Sequence, residues 1–161
     1  MTINKENLKD EGIDVSENQA DKIREHYNNP KNNKKLENYN ARGVGRNPDN
    51  WGQVDMYLNI DKDKVLQDLG YEYKGCPTIS FTASVFTQEL KGVSMIDAVK
   101  IVQDDLDKMN TQKNCDDCIK MILVAFLCAN ENYINKRNGI EEDYCFKMIE
   151  TTISFTEQSC G

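Results

Sequence analysis

Apolar and polar residues alternate along two stretches near the middle of the chain. The apolar positions of the first stretch are Val54, Met56, Leu58 and Ile60. Those of the second stretch are Leu69, Tyr71 and Tyr73. A period of two is typical of half-buried strands, and the polar segment 61–64 between the two stretches suits a turn. The pattern therefore predicts an antiparallel β-meander.

After residue 76 the apolar positions fall three and four residues apart, which is the spacing of one helix face. The first such face consists of Ile79, Ala83, Phe86 and Leu90. Gly92 ends this helix, and Ser94 with Asp97 resembles the capped start of another that continues to about Lys108. Residues 119–129 are apolar nearly all round, which predicts a helix buried on most sides.

The acidic segment 141–143 follows the helix-breaking pair Asn138-Gly139 and favours the start of a final helix. The apolar face of this last helix would be formed by Tyr144, Met148 and Ile149. With the two helices after Cys76 and the long apolar one, four helices are thus expected after the meander, with a polar loop over residues 110–117.

The N-terminal region has weaker patterns. Residues 1–16 are polar without periodicity, so we expect a mobile arm. Ser16 and Gln19 resemble a capping box for a short helix near 17–27. Residues 31–50 favour a loop with at most one irregular strand. The expected fold class is α+β: about three antiparallel strands packed against four to five helices, in a single domain over residues 17–161.

The charge and hydropathy of the chain narrow the class of protein. The 161 residues carry a net charge of −7, so nucleic-acid binding is not expected. Residues 1–12 lack the apolar segment of a secretory signal, and the longest apolar run, 121–129, is too short to span a bilayer. We therefore expect a cytoplasmic protein without membrane contact, whose six cysteines are reduced thiols.

Two cysteines are expected at the N-termini of helices. Cys76 lies between a predicted strand and a helix, and Cys118 begins the apolar helix. The unpaired N–H groups and the dipole at a helix N-terminus lower a thiol pKa and favour the thiolate, which is the nucleophile and the metal ligand. The two thiols could face one site. The same spacing fits two small buried hydrophobic residues equally well.

Cys115 and Cys118 also form a Cys-x-x-Cys motif around Asp116 and Asp117. One such motif is a weak signal for zinc, because structural zinc sites usually have two. Carboxylate oxygens beside thiolate sulfurs suit iron or zinc. Asp116 suits a helix cap at least as well.

The remaining candidate residues are less suited to a reactive or binding site. Cys128 and Cys145 fit the hydrophobic core better than a reactive site. His26, the only histidine, fits a helix cap or the surface. The glycines of residues 43–46 lack the strand–turn–helix context and the lysine of a phosphate-binding loop.

Three segments together resemble the NifU/IscU family of iron–sulfur cluster scaffolds. Residues 26–32, His-Tyr-Asn-Asn-Pro-Lys-Asn, are similar to the N-terminal motif of the family. Residues 75–80, Gly-Cys-Pro-Thr-Ile-Ser, and the stretch that continues to Gly92 are similar to the segment around its second cysteine. Cys118 precedes a long helix, as the third family cysteine does. The resemblance covers about residues 20–136 and implies the α+β fold of the family.

The resemblance implies a scaffold or carrier rather than an enzyme. Such a protein takes persulfide sulfur from a cysteine desulfurase, binds iron, and passes the assembled cluster to apo acceptor proteins. A transient 2Fe–2S cluster is expected, and such clusters usually have four protein ligands. The expected ligands are Cys76, Cys118 and Cys115, with Asp117 or Asp55 as the fourth, unless two subunits of a homodimer share the cluster.

The chain departs from the family pattern at three places. The residue before the third family cysteine is often histidine in the IscU branch, but here it is Asp117. The first family cysteine is missing, because the matching stretch 47–53 reads Asn-Pro-Asp-Asn-Trp-Gly-Gln and places Asn50 or Trp51 there. The chaperone-recognition segment of the IscU branch is replaced by residues 111–115. An Hsp70-type chaperone partner is therefore not expected.

Two other hypotheses stay open. The first is a zinc-containing persulfide acceptor, in effect a sulfurtransferase that works with a cysteine desulfurase. The second, suggested by the missing cysteine, is a degenerate homologue that kept the fold and became a binding protein.

Overall fold

A computed structural model describes residues 12–112 and 116–150. Within those ranges four helices pack on a four-stranded sheet, so the α+β prediction is confirmed. The helices are α1 (Gly12–Asn28), α2 (Thr78–Leu90), α3 (Met95–Thr111) and α4 (Asp117–Arg137). The strands are β1 (Ala41–Arg46), β2 (Gln53–Ile60), β3 (Leu66–Lys74) and β4 (Cys145–Met148). None of the helices in these ranges has the length and hydropathy required to cross a bilayer.

The sheet has the strand order β3-β2-β1-β4. Its first three strands form the predicted antiparallel meander, and β4 adds to β1 in parallel. The predicted turn between β2 and β3 is confirmed, because the N–H of Asp61 donates to the carbonyl of Val65 over 3.0 Å. The apolar side chains of β2 are buried under the helices, where they form the core with α4.

The final helix predicted after residue 141 is wrong, because this segment forms the edge strand β4. Its residues pair with Gly43–Arg46 of β1, and the N–H of Ile149 extends the pairing to the carbonyl of Arg46 over 2.9 Å. The acidic residues favoured a helix start locally. The unpaired edge of β1 overrides that preference, since strand formation depends on the partner more than on the sequence itself.

Helix α1 is longer than the sequence predicted. It already includes Gly12, so Ser16 lies within the helix and not at its start. It ends at Asn28, one residue beyond the predicted end near residue 27. The glycine-containing stretch expected to be irregular is the regular strand β1, which pairs with β2 along its whole length.

The segment after α1 is held on helix α2 by side-chain hydrogen bonds. His26 Nδ1 lies 2.6 Å from the hydroxyl of Ser84, which also accepts from the N–H of Lys31 over 2.7 Å. The side-chain amide of Asn32 donates to Thr87 Oγ1 over 2.9 Å. His26 therefore fastens this segment to a buried serine and is not the simple cap or surface residue that the sequence suggested.

Two glycines of β1 let α4 lie directly on the sheet. A Cβ on Gly43 would fall 2.1 Å from the backbone N of Ala129 and 2.2 Å from the carbonyl O of Ala125. A Cβ on Gly45 would fall 2.5 Å from the carbonyl O of Met121. These neighbours are helix backbone atoms that cannot rotate away. Only glycine permits this separation between strand and helix.

We therefore predict that Gly43→Ala strongly destabilises the protein. Overpacking against helix backbone is expected to lower the free energy of unfolding by about 3 kcal/mol. Gly139→Ala is the control, because Gly139 has a φ of +89° but no neighbour within 4 Å of a Cβ, and a left-handed alanine costs only about 1 kcal/mol. Denaturant unfolding of both variants measures the difference. Equal losses would contradict the close approach of β1 and α4.

Candidate functional site

Three segments converge on an open cavity of about 670 Å³ at one end of the sheet. They are the loop between β1 and β2, the connection from β3 into α2, and the start of α4. Cys76, Asp117 and Cys118 all line this cavity. The structure thus brings together the two cysteines that the sequence placed separately at helix starts.

Gly75 makes the turn that places Cys76 at the start of α2. Its φ of +124° is rarely adopted by other residues. A Cβ added to Gly75 would lie 3.3 Å from Gly52 Cα. The thiol of Cys76 is exposed and lies 2.7 Å from the hydroxyl of Thr78. Hydrogen bonds from the side chain and then the backbone N–H of Thr78 lower the pKa of Cys76. The thiolate is therefore favoured, as expected at a helix N-terminus.

Cys118 is the second residue of α4, and Asp116 caps this helix by accepting from the N–H of Ile119 over 3.1 Å. The Cys118 thiol is half-buried. Burial, followed by its interaction with Cys76, raises the pKa of Cys118 to about 12. A helix N-terminus alone predicts a lowered pKa, but here desolvation outweighs it. The cavity thus pairs one thiol that readily loses its proton with one that keeps it.

Asp117 contributes an oxygen with no internal partner. Its Oδ1 is buried and accepts no hydrogen bond from the part of the chain that the structure describes. Its Oδ2 lies 3.5 Å from the side-chain amide of Asn47. Burial raises the pKa of this carboxyl group. An oxygen of this kind is suited to accept a proton or a cation from the cavity.

Of the other two predicted ligands, the structure places Asp55 away from the cavity. Asp55 points to the opposite face of the sheet from the core residues Val54 and Met56. There it forms an ion pair with Arg42 and accepts from the amide of Gln53 over 2.8 Å. Cys115 lies outside the described residues. Within residues 12–112 and 116–150, no three histidine, cysteine, aspartate or glutamate side chains converge closely enough to bind one metal ion.

The loop of residues 47–52 occupies the place where the resemblance expected the first cysteine. Asn50 and Trp51 do line the cavity there, without a sulfur ligand. Trp51 is 79% exposed, and the guanidinium of Arg46 lies 4.9 Å from its ring centroid. Thr78, the hydrogen-bond partner of Cys76, was not predicted from the sequence. Its place two residues after a cysteine at a helix start was a usable signal.

Comparison with known proteins gives one family and several relatives. The sequence profile of the NifU-like N terminal domain family matches residues 18–139. Iron-sulfur cluster assembly scaffold protein IscU 1 of Archaeoglobus fulgidus is 26% identical over 134 residues, which cover 77% of this chain and 87% of that protein. Nitrogen fixation protein NifU of Azotobacter chroococcum is 31% identical over 88 residues, which cover 54% of this chain and 28% of that protein.

Among solved structures, this chain aligns with the N-terminal part of a nitrogen-fixing NifU-like protein from Brucella abortus. It aligns with a TM-score of 0.46 and 23% identity, over 54% of this chain and 59% of that chain.

We predict that Thr78→Val makes Cys76 less reactive. Without the hydroxyl donor the pKa of Cys76 rises, and alkylation of Cys76 at pH 7 should slow about three- to tenfold, because one pKa unit changes the thiolate fraction tenfold. Thr82→Val makes the same chemical change one turn further along α2, away from the cavity, and should leave the rate unchanged. Alkylation rates across pH, followed by mass spectrometry, measure both. An unaltered pKa in Thr78→Val would contradict the role of this hydroxyl.

Proposed function

The chain belongs to the NifU-like N-terminal domain family, and on that premise we propose that it assembles an iron–sulfur cluster on Cys76 and Cys118 and passes it to acceptor proteins. The observation that carries this proposal is the meeting of both thiols in one open cavity, each at a helix N-terminus. The protein acts as a scaffold and carrier, not as an enzyme. Its thiols work in the reduced state, which suits the cytoplasm.

Sulfur arrives first at Cys76. This thiol is the exposed one and its pKa is lowered, so its thiolate can attack the terminal sulfur of a persulfide on a cysteine desulfurase. The S–S bond of the donor breaks, the donor cysteine leaves as a thiolate, and Cys76 retains the persulfide. Cys118 keeps its proton during this step, so the two thiols do not compete for the same sulfur.

Iron binding then requires Cys118 to lose its proton, since the thiolate is the ligand. Asp117 lines the same cavity with a buried oxygen that has no hydrogen-bond partner within the described ranges. A carboxylate binds iron less strongly than a thiolate does. A mixed sulfur and oxygen ligand set therefore suits a cluster that must be released to another protein.

The missing first cysteine is compensated by Cys115 in this proposal. Cys115 lies three residues before Cys118 in the Cys-x-x-Cys motif. Together with Asp117 it would complete the four protein ligands that a 2Fe–2S cluster usually has. A homodimer in which each subunit supplies Cys76 and Cys118 satisfies the same count, and the stoichiometry of iron per chain distinguishes the two arrangements.

We predict that anaerobic reconstitution with iron and sulfide gives visible charge-transfer absorption in the unmodified protein. Cys76→Ser and Cys118→Ser should each reduce that absorption to the level of the protein-free control, because each removes a thiolate ligand. Cys145→Ser is the matched control, since Cys145 is a half-buried cysteine outside the cavity, and it should retain the full absorption. Unchanged spectra in both cavity variants would refute the assignment.

The role of Cys115 is tested by the iron and acid-labile sulfide content after anaerobic purification. We expect two iron and two sulfide per chain in a monomer, falling by at least half in Cys115→Ser. A different result would support a cluster shared between two subunits. In that case one cluster is found per two chains, Cys115→Ser does not change its content, and gel filtration shows a dimer. One zinc without iron would support the persulfide acceptor in place of the scaffold.

A further inference from the structure

A second pair of cysteines lies at the middle of α4, away from the end of this helix that lines the cavity. Cys128 is on α4 and Cys145 is the first residue of β4. Cys145 pairs with Gly43 across the parallel ladder, and a Cβ on Gly43 would fall 2.7 Å from the backbone carbon of Cys128. The absence of a side chain at Gly43 thus brings the two cysteine backbones near each other.

Side-chain contacts place Cys145 on the face of α4 that carries Cys128. Cys145 Sγ lies 3.4 Å from the carboxylate of Glu131, which is three residues after Cys128 and on the same face of α4. The same carboxylate accepts from Lys147 Nζ over 2.6 Å. Burial, and then the neighbouring Cys145 thiol, raise the pKa of Cys128. Two neighbouring thiols, with one cation and one anion beside them, therefore lie where α4 packs on β4.

This cluster is separate from the proposed scaffold site. Cys118 and Cys128 are ten residues apart on one helix, which corresponds to about 15 Å along its axis. Neither Cys128 nor Cys145 lines the cavity of Cys76. Their thiols are therefore not used by the proposed cluster chemistry, and their juxtaposition needs another explanation.

We propose that Cys128 and Cys145 are a second thiol site, which low-molecular-weight disulfides oxidise to an intramolecular disulfide between α4 and β4. Cys128 is only 1% exposed and Cys145 is half-buried, so the oxidant reaches Cys145 first. The Cys145 thiolate attacks one sulfur of the oxidant, forming a mixed disulfide and releasing one thiol. Cys128 then attacks Cys145 Sγ, which forms the internal disulfide and releases the second thiol. The protein loses two electrons, the oxidant gains them, and the two thiol protons pass to the released thiols.

The environment of the pair sets the rate of this reaction. Burial raises the pKa of Cys128 and of Cys145, with Glu131 adding to the effect, whereas the ammonium group of Lys147 opposes it at Cys128. The pair therefore reacts more slowly than exposed Cys76, whose pKa is lowered. Brief oxidation therefore modifies Cys76 first, and sustained oxidation closes the second site.

The test treats the full chain with glutathione disulfide, blocks the remaining thiols by alkylation and digests the monomeric fraction with trypsin. Cleavage after lysine and arginine places Cys128 alone in peptide 121–136 and Cys145 alone in peptide 138–147. We expect these two peptides to be joined by a disulfide, at a rate slower than the modification of Cys76. The joined pair should form equally in Cys76→Ser/Cys118→Ser, which separates this result from the proposed scaffold function.

Cys145→Ser and Cys145→Ala are the control variants, and both should lose the joined peptides while keeping the circular dichroism of the unmodified chain. Three results would overturn the proposal. Both peptides could remain alkylated after prolonged oxidation, or Cys145 could carry glutathione without forming a disulfide with Cys128. The third is that the joined peptides occur only in a covalent dimer.

Discussion

The close approach of strand β1 to helix α4 is the contact on which the rest of the structure depends. Gly43 and Gly45 have no side chains, so the helix backbone lies directly on the strand. This contact fixes the rotation and the height of α4 relative to the sheet. The start of the helix then places Cys118 beside Cys76, and its middle places Cys128 beside Cys145. Both thiol pairs are therefore consequences of one packing contact.

The cavity illustrates how burial and helix ends compete in setting thiol chemistry. Cys76 lies just before α2 and Cys118 is the second residue of α4, and a helix N-terminus favours the thiolate at each. Exposure leaves that preference intact at Cys76, where Thr78 reinforces it. Burial reverses it at Cys118. The resulting asymmetry orders the proposed events, because a nucleophile is ready before iron arrives while the second ligand forms only when a metal displaces its proton.

The sequence predicted those parts of the fold that depend on local periodicity. The alternation in β2 and the helical spacing of α2 were sufficient, because each pattern reports directly which face is buried. Strand β4 and the regularity of β1 were missed, since β4 exists only by pairing with β1, and the glycines of β1 are explained only by the helix above them. Asp55 was misplaced although its alternation with buried neighbours already assigned it to the opposite face of the sheet. The elevated pKa of Cys118 could not be predicted from the sequence, because it depends on how deeply the thiol is buried, and residue spacing does not show burial depth.

The parallel pairing of β4 has a consequence for the order in which the chain folds. During synthesis, β1, β2 and β3 emerge first and can form their antiparallel meander at once. The outer edge of β1 has no partner until residues 145–148 leave the ribosome, about a hundred positions later. Throughout that interval the nascent chain presents an unpaired strand edge, the kind of surface on which chains aggregate. This edge would therefore need to be covered, by another protein or by rapid docking of α4, only until β4 is available to pair with it.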